Sequence, residues 1–218
     1  MKRKVYVLLL SLIVLFCSNS LPVFSKSDSI PLVNGKITFM ENINANLTQK
    51  EIHDRILDYV NNDLKPVEGF VAMDKPDRIV CNLTDYIEIS KQMMQTFAMY
   101  MNYTATFLFN DSVCSMKVSN ITFMEKEAFD KQKQWEKNPD NVLNYPKSNS
   151  ILQPIYSAEQ IFLDKAYSLT FYRKASQRIA KASVYRIEEV IEEIVDALTL
   201  TEKELNLVKR RVNRAQNK

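Results

Sequence analysis

Glycine is almost missing from this sequence: Gly35 and Gly69 are the two among 218 residues. Phosphate cradles and dinucleotide-binding turns each need several glycines close together, so those nucleotide sites are excluded. Histidine occurs once, at His53. A metal site or a serine–histidine relay would need partners around it, and no second histidine exists. Neither a Gly-x-Ser-x-Gly elbow nor a serine–lysine motif occurs among the many serines. Proline and glycine are both absent from Ser157 to the end. No set of residues here adds up to a reaction, and the expectation is a protein that is not an enzyme and uses no cofactor or metal.

What is present begins with an export signal. Lys2, Arg3 and Lys4 precede the apolar run Val5–Phe16, which is short for a membrane span. Val23-Phe24-Ser25 fits signal cleavage after Ser25, which would place the protein in the periplasm or outside the cell. The alternative is lipid anchoring at Cys17, disfavoured because Phe16 stands where that processing wants a small residue. The signal also carries the apparent basicity. The full chain holds 29 Lys+Arg and 26 Asp+Glu, and residues 1–25 hold three basic and no acidic side chains. The remainder has 26 of each sign, which gives no whole-molecule attraction to nucleic acid.

The middle of the chain alternates. Met99, Met101, Tyr103, Ala105, Phe107 and Phe109 are apolar, with Asn102, Thr104 and Thr106 between them. A period of two means a strand with one face buried and one wet. After a turn at Asn110-Asp111 the pattern continues through Cys114, Met116 and Val118, then changes parity at Ile121 and Phe123. That change predicts a β-bulge near Ser119-Asn120. Before the hairpin, Gly35–Ile43 reads as a strand after a polar lead-in over 26–33. Thr48-x-x-Glu51 is a capping box opening a helix through about Leu64. Val67–Met73 and a segment with Ile79, Cys81, Leu83, Ile87 and Ile89 read as two strands around the turn at 74–77, the second interrupted by Asp85. Cys81 and Cys114 fall on apolar parity in strands separated by a third. Such strands lie ~10 Å apart, beyond disulfide reach, so two buried thiols are expected although an oxidising compartment would permit a bond.

After Glu125 the chain turns polar, with a short helix near 126–137 and an irregular linker to residue 156. Ser157-x-x-Gln160 is a second capping box, opening a helix with Phe162, Ala166, Leu169, Tyr172 and Ile179 in one stripe. Ile187, Ile191, Ile194 and Leu198 mark a further helix, and Thr201-x-x-Glu204 restarts a last one with Leu205, Val208 and Val212. The predicted organisation is a signal over 1–25, a sheet domain over 26–125, a linker over 126–156 and a helical region over 157–218. The class is α+β, with about five strands in the order β-α-β-β-β-β and helices covering one sheet face.

Candidate sites are weighed against plain structural roles. His53 reads as a half-buried helix-surface histidine. Glu188, Glu189, Glu192, Glu193 and Asp196 could hold a hard cation but also form the polar side of an amphipathic helix, the reading preferred here. Asp85 and Glu88 face opposite sides of one strand and make no acid–base couple. Arg173, Lys174, Arg178, Lys181 and Arg186 form a basic row suited to an anionic envelope polymer or lipid headgroup, unless it rests on the acidic part of the same chain. Residues 165–218 carry 12 basic and 7 acidic side chains, leaving residues 26–164 with the opposite excess. The wet parity Asn102, Thr104 and Thr106 is a candidate contact face.

The order of elements, from Gly35-Lys36-Ile37-Thr38-Phe39 through the hairpin ending Val118-Ser119-Asn120-Ile121-Thr122 to Tyr156-Ser157-Ala158-Glu159-Gln160, resembles an exported bacterial family. That family is found mainly in Bacteroidetes and is known as a domain of unknown function with a TBP-like fold. The resemblance covers roughly residues 31–125. It implies a curved antiparallel sheet followed by a C-terminal helical arm, and no assigned active site. A TBP-like fold does not bring DNA binding with it. Three functions follow as expectations: a non-catalytic binding module of the cell envelope, with an envelope protein or anionic polymer as partner; a homo-oligomer assembled through the C-terminal helices; or a hydrolase of unfamiliar type.

Overall fold

A computed structural model describes residues 30–92, 95–137, 155–163, 173–201 and 204. The expected signal with Cys17, the linker beyond 137, the positions of Ala166, Leu169 and Tyr172, and the last helix with Leu205, Val208 and Val212 lie outside the described residues. From Pro31 onward these residues belong to one compact unit.

The chain opens with a two-residue hairpin, β1 (Leu32–Val33) and β2 (Lys36–Ile37), where a polar lead-in and one continuous strand were expected. Asn34-Gly35 turns the corner with φ of 52° and 73°. Two successive positive φ values define the type I′ turn that asparagine–glycine favours. Strand β3 (Phe39–Asn44) follows, then helix α1 (Gln49–Asp58), which runs on as a π-helical turn over Tyr59–Asp63. Thr48 and Glu51 cap α1 reciprocally, as the sequence predicts.

Four long strands then meander: β4 (Glu68–Lys75), β5 (Arg78–Gln92), β6 (Gln95–Asn110) and β7 (Val113–Glu125). Helix α2 (Lys126–Glu136) follows, then the short β8 (Tyr156–Ser157), α3 (Ala158–Leu163) and the 27-residue α4 (Arg173–Thr199). Ile179 and the Ile187–Leu198 seam, expected on separate helices, share α4. The sheet order is β3-β7-β6-β5-β4, with β8 adding to β7, and every pairing is antiparallel. The predicted bulge is present: Asn102 opposes Thr122 but Thr104 opposes Ser119. Asn120, in the extra stretch, takes a φ of 55°, a left-handed conformation that asparagine tolerates.

The apolar parity faces α1, α3 and α4. Met101, Phe107, Met116 and Phe123 from the sheet meet Ile52, Ile56, Ile161, Ile187, Ile194 and Leu198 from the helices, each at most 1% exposed. Burial of one such side chain contributes about 1.5–3 kcal/mol. The seam on α4 is therefore spent within the chain against its own sheet. The tip of the β6–β7 hairpin is tied to the start of α1: Gln49 N–H donates to Asp111 Oδ1 at 2.9 Å and Ala45 N–H to the Ser112 carbonyl at 2.9 Å. Arg55 on α1 donates to the carbonyls of Ala197 and Leu200, at 3.0 and 2.9 Å, capping the end of α4.

One polar network crosses this otherwise apolar interface. Asp85, in the middle of β5, is 3% exposed. Its Oδ2 accepts from the Tyr103 hydroxyl at 2.7 Å and from Arg186 Nε at 3.1 Å. Arg186 on α4 also donates to Glu189 at 2.7 Å, while the Tyr59 hydroxyl donates to Glu193 at 2.5 Å. Burial, then the charge of Asp85, pushes the Tyr103 phenol far up, so it stays a donor. The Asp85 that interrupts the apolar pattern of its strand is thus the sheet's attachment point for α4.

Two outcomes are expected. Arg186→Met leaves Asp85 dry and unpaired, lowering unfolding free energy by about 3–5 kcal/mol, while Asp85→Leu with Arg186→Met recovers most of that loss. Urea unfolding followed by circular dichroism checks both; equal losses in the single and double variants would refute the pairing. Cys81 and Cys114 are free and buried, with β6 between their strands. Burial pushes their thiols up to about 11 and about 12. Alkylation read by mass spectrometry should leave both unlabelled in the native chain and label both in urea.

Candidate functional site

Antiparallel register sorts the outward side chains into rows running across the strands. Tyr86, Tyr100 and Met124 form one row. Helix α2 sits on it, on the face opposite α1, α3 and α4. Ala128 and Phe129 join Tyr100 and Met124 in a buried cluster, with the Phe129 ring 3.9 Å from that of Tyr100. The expected covering of one face by helices therefore holds for α1, α3 and α4, while the short helix goes to the other side. It does so because Tyr100 and Met124 are apolar residues on the wet parity and need a cover.

Beside that row lie two polar rows, in which Thr84 is buried and the other members are half-buried or exposed. Glu68, Thr84, Asn102 and Thr122 form the first, and Phe70, Asn82, Thr104 and Ser119 the second. Their β4, β5 and β6 members line a groove of about 280 Å³, which Gly69, Leu83, Tyr103 and the bulge residue Asn120 also line. Thr84 Oγ1 donates to Asn102 Oδ1 at 2.6 Å and Thr104 Oγ1 to Asn82 Oδ1 at 3.1 Å. These cross-strand bonds fix both amides. Each amide keeps two N–H donors that no described residue takes up. Glu68 is the one charged lining residue, and Lys133 reaches down from α2 to pair with it at 2.8 Å. Phe70, on the edge strand, is 63% exposed.

Of the residues singled out in the sequence, Asn102 and Thr104 line the groove, and Thr106 is half-exposed in the next row, between Val80 and Lys117. The groove residues missed included Asn82, Thr84 and Phe70. Their signal was the same alternation in β4 and β5, read for its apolar half alone. The basic row separates: Arg178 and Lys181 are exposed on α4, whereas Arg186 belongs to the Asp85 network. Arg173 and Lys174 stand in the first turn of α4, and their side chains lie outside the described residues. In the acidic cluster, Glu189 and Glu193 are bound to Arg186 and Tyr59. Among the described residues no set of histidine, cysteine and carboxylate side chains is placed to hold a metal ion.

His53 bridges two elements. Its Nε2 meets Asp74 Oδ1 of β4 at 2.7 Å, its Nδ1 meets Asp54 at 3.4 Å, and its ring lies edge-on to Phe109. Burial acts to lower its pKa, but the bonds to Asp74 and then Asp54 outweigh it and raise the value. The stabilisation His53 contributes is thus full below its ordinary value of about 6.5 and is lost as pH rises through the folded-state value. With a single histidine in the chain, proton NMR should show one imidazole titrating above 6.5, and Asp74→Asn should bring it down. A value at or below 6.5 in the unaltered chain would refute the clamp.

No protein-family model matches the sequence, and no curated protein matches it. Among solved structures, a DUF4468 family protein from Bacteroides ovatus superposes with a TM-score of 0.53 at 16% identity, over 79% of this chain and 92% of that one. A TBP-like protein from Parabacteroides distasonis superposes with a TM-score of 0.53 at 16% identity, over 78% and 96%. At that identity the likeness is one of fold. The chain has the TBP-like α+β fold that its order of elements resembles, shared with structures of Bacteroidetes proteins.

Proposed function

We propose that this chain is an exported, non-catalytic binding module of the cell envelope whose ligand lies on the outer sheet face. The observation that carries the reading is the groove along the polar rows, with amides held in place and their donors taken up by no described residue. A face meant only to be wet has no need of such fixed orientation. Hydroxyls and amides without a base or nucleophile suit contact better than catalysis. Export is supported by Lys2–Lys4 and the apolar run behind them. A second reading rests on Arg178 and Lys181, exposed cations of α4 that could meet an anionic polymer or lipid headgroup.

A photoreactive residue placed at Thr106, beside the groove, or at Lys181, on α4, separates the two in intact cells. Crosslinking to an envelope component from Thr106, lost in Asn82→Ala/Asn102→Ala, is expected, together with recovery of the chain in the envelope fraction. Crosslinking from Lys181 alone would overturn the outer-face reading in favour of the basic one.

A further inference from the structure

Resting on that outer-face reading, we infer that the groove binds a neutral polysaccharide lying across the strands. Three features select the ligand. The first is charge: Glu68 is balanced by Lys133, and the other polar side chains of the lining are amides and hydroxyls, set among Phe70 and Leu83. Such a floor offers nothing to a phosphate chain or an acidic glycan, both of which need cations. The second is hydrogen-bonding type. Asn82 and Asn102 present amide donors beside threonine hydroxyls that can both give and accept, matching ligand hydroxyls that do the same. At the open end Phe70 offers an exposed ring, whose electron-rich face suits the C–H face of a sugar.

The third feature is spacing. Side chains in a row recur once per strand, every ~4.8 Å, which is close to the step of one sugar unit in an extended chain. An extended peptide steps ~3.3 Å per residue and would fall out of register along a row. Its natural place is the edge of β4, where backbone groups would recognise it instead.

The test uses the purified full chain and neutral 1,4-linked hexasaccharides of glucose, mannose and xylose, with polygalacturonate as the charged comparison. At least one neutral hexasaccharide should shift the side-chain amide signals of Asn82 and Asn102 in NMR spectra. Asn82→Ala and Asn102→Ala should each weaken binding about tenfold, the effect of one lost hydrogen bond of ~1.4 kcal/mol. Phe70→Ala should weaken it as well, and Lys181→Ala should not. Circular dichroism confirms that the variants fold. Absence of any shift with all three neutral probes, unchanged affinity in the variants, or equal binding of polygalacturonate would overturn the assignment. Crosslinking of a protein from Thr106 with no saccharide shift would overturn the saccharide while leaving the binding face standing. Failure of both would remove the face as well.

Discussion

A carboxylate in the middle of a buried strand face decides how this molecule closes. Asp85 sits where its strand neighbours are apolar, and an unpaired charge there would cost several kcal/mol. Arg186 relieves that cost from across the helix layer, and Tyr103 donates a further hydrogen bond to the same carboxylate oxygen. Hydrophobic burial drives α4 onto the sheet without saying where along the sheet it should stop. The Asp85–Arg186 pair gives it one position, and Arg55 at the far end of α4 gives it a second. Between those two points the Ile187–Leu198 seam has one register against the sheet.

That closure leaves the two faces with different fates. One is dry, sealed by three helices. The other is divided by α2, which takes the aromatic row at one end and leaves the polar rows open. The division follows from side chains: Tyr100 and Met124 take the cover of α2, while the Thr84–Asn102 and Asn82–Thr104 pairs in the next rows satisfy one another by hydrogen bonds. The Glu68–Lys133 pair ties that helix to the edge strand beside the groove.

Much of the architecture could be read from local pattern. The hairpin, its bulge at Asn120, the capping boxes at Thr48, Ser157 and Thr201, and the short helix after Glu125 all depend on residues close in sequence. Asn34-Gly35 was equally local and was overlooked, hidden by the polar stretch before it. What could not be read depends on register and on distance. Asp85 and Arg186 are 101 positions apart, and nothing in either neighbourhood names the other. The groove needed the register of β5 against β6 before Asn102 and Thr104 could acquire Asn82 and Thr84 as companions. The basic row illustrates the converse: regular spacing on a helix grouped Arg186 with Arg178 and Lys181, although its charge is spent inside.

The methionines provide the most direct test of the claim that one face is sealed and the other partly covered. Met99, Met101 and Met116 lie in the sealed core, Met124 lies beneath α2, and Met40 and Met73 stand on open parts of the sheet. A soluble paramagnetic agent added to a sample with labelled methionine methyl groups should broaden the signals of Met40 and Met73. It should leave Met99, Met101, Met116 and Met124 sharp. Broadening of Met124 to the extent of Met40 would mean that α2 does not cover Tyr100 and Met124, and the division of this face would fail.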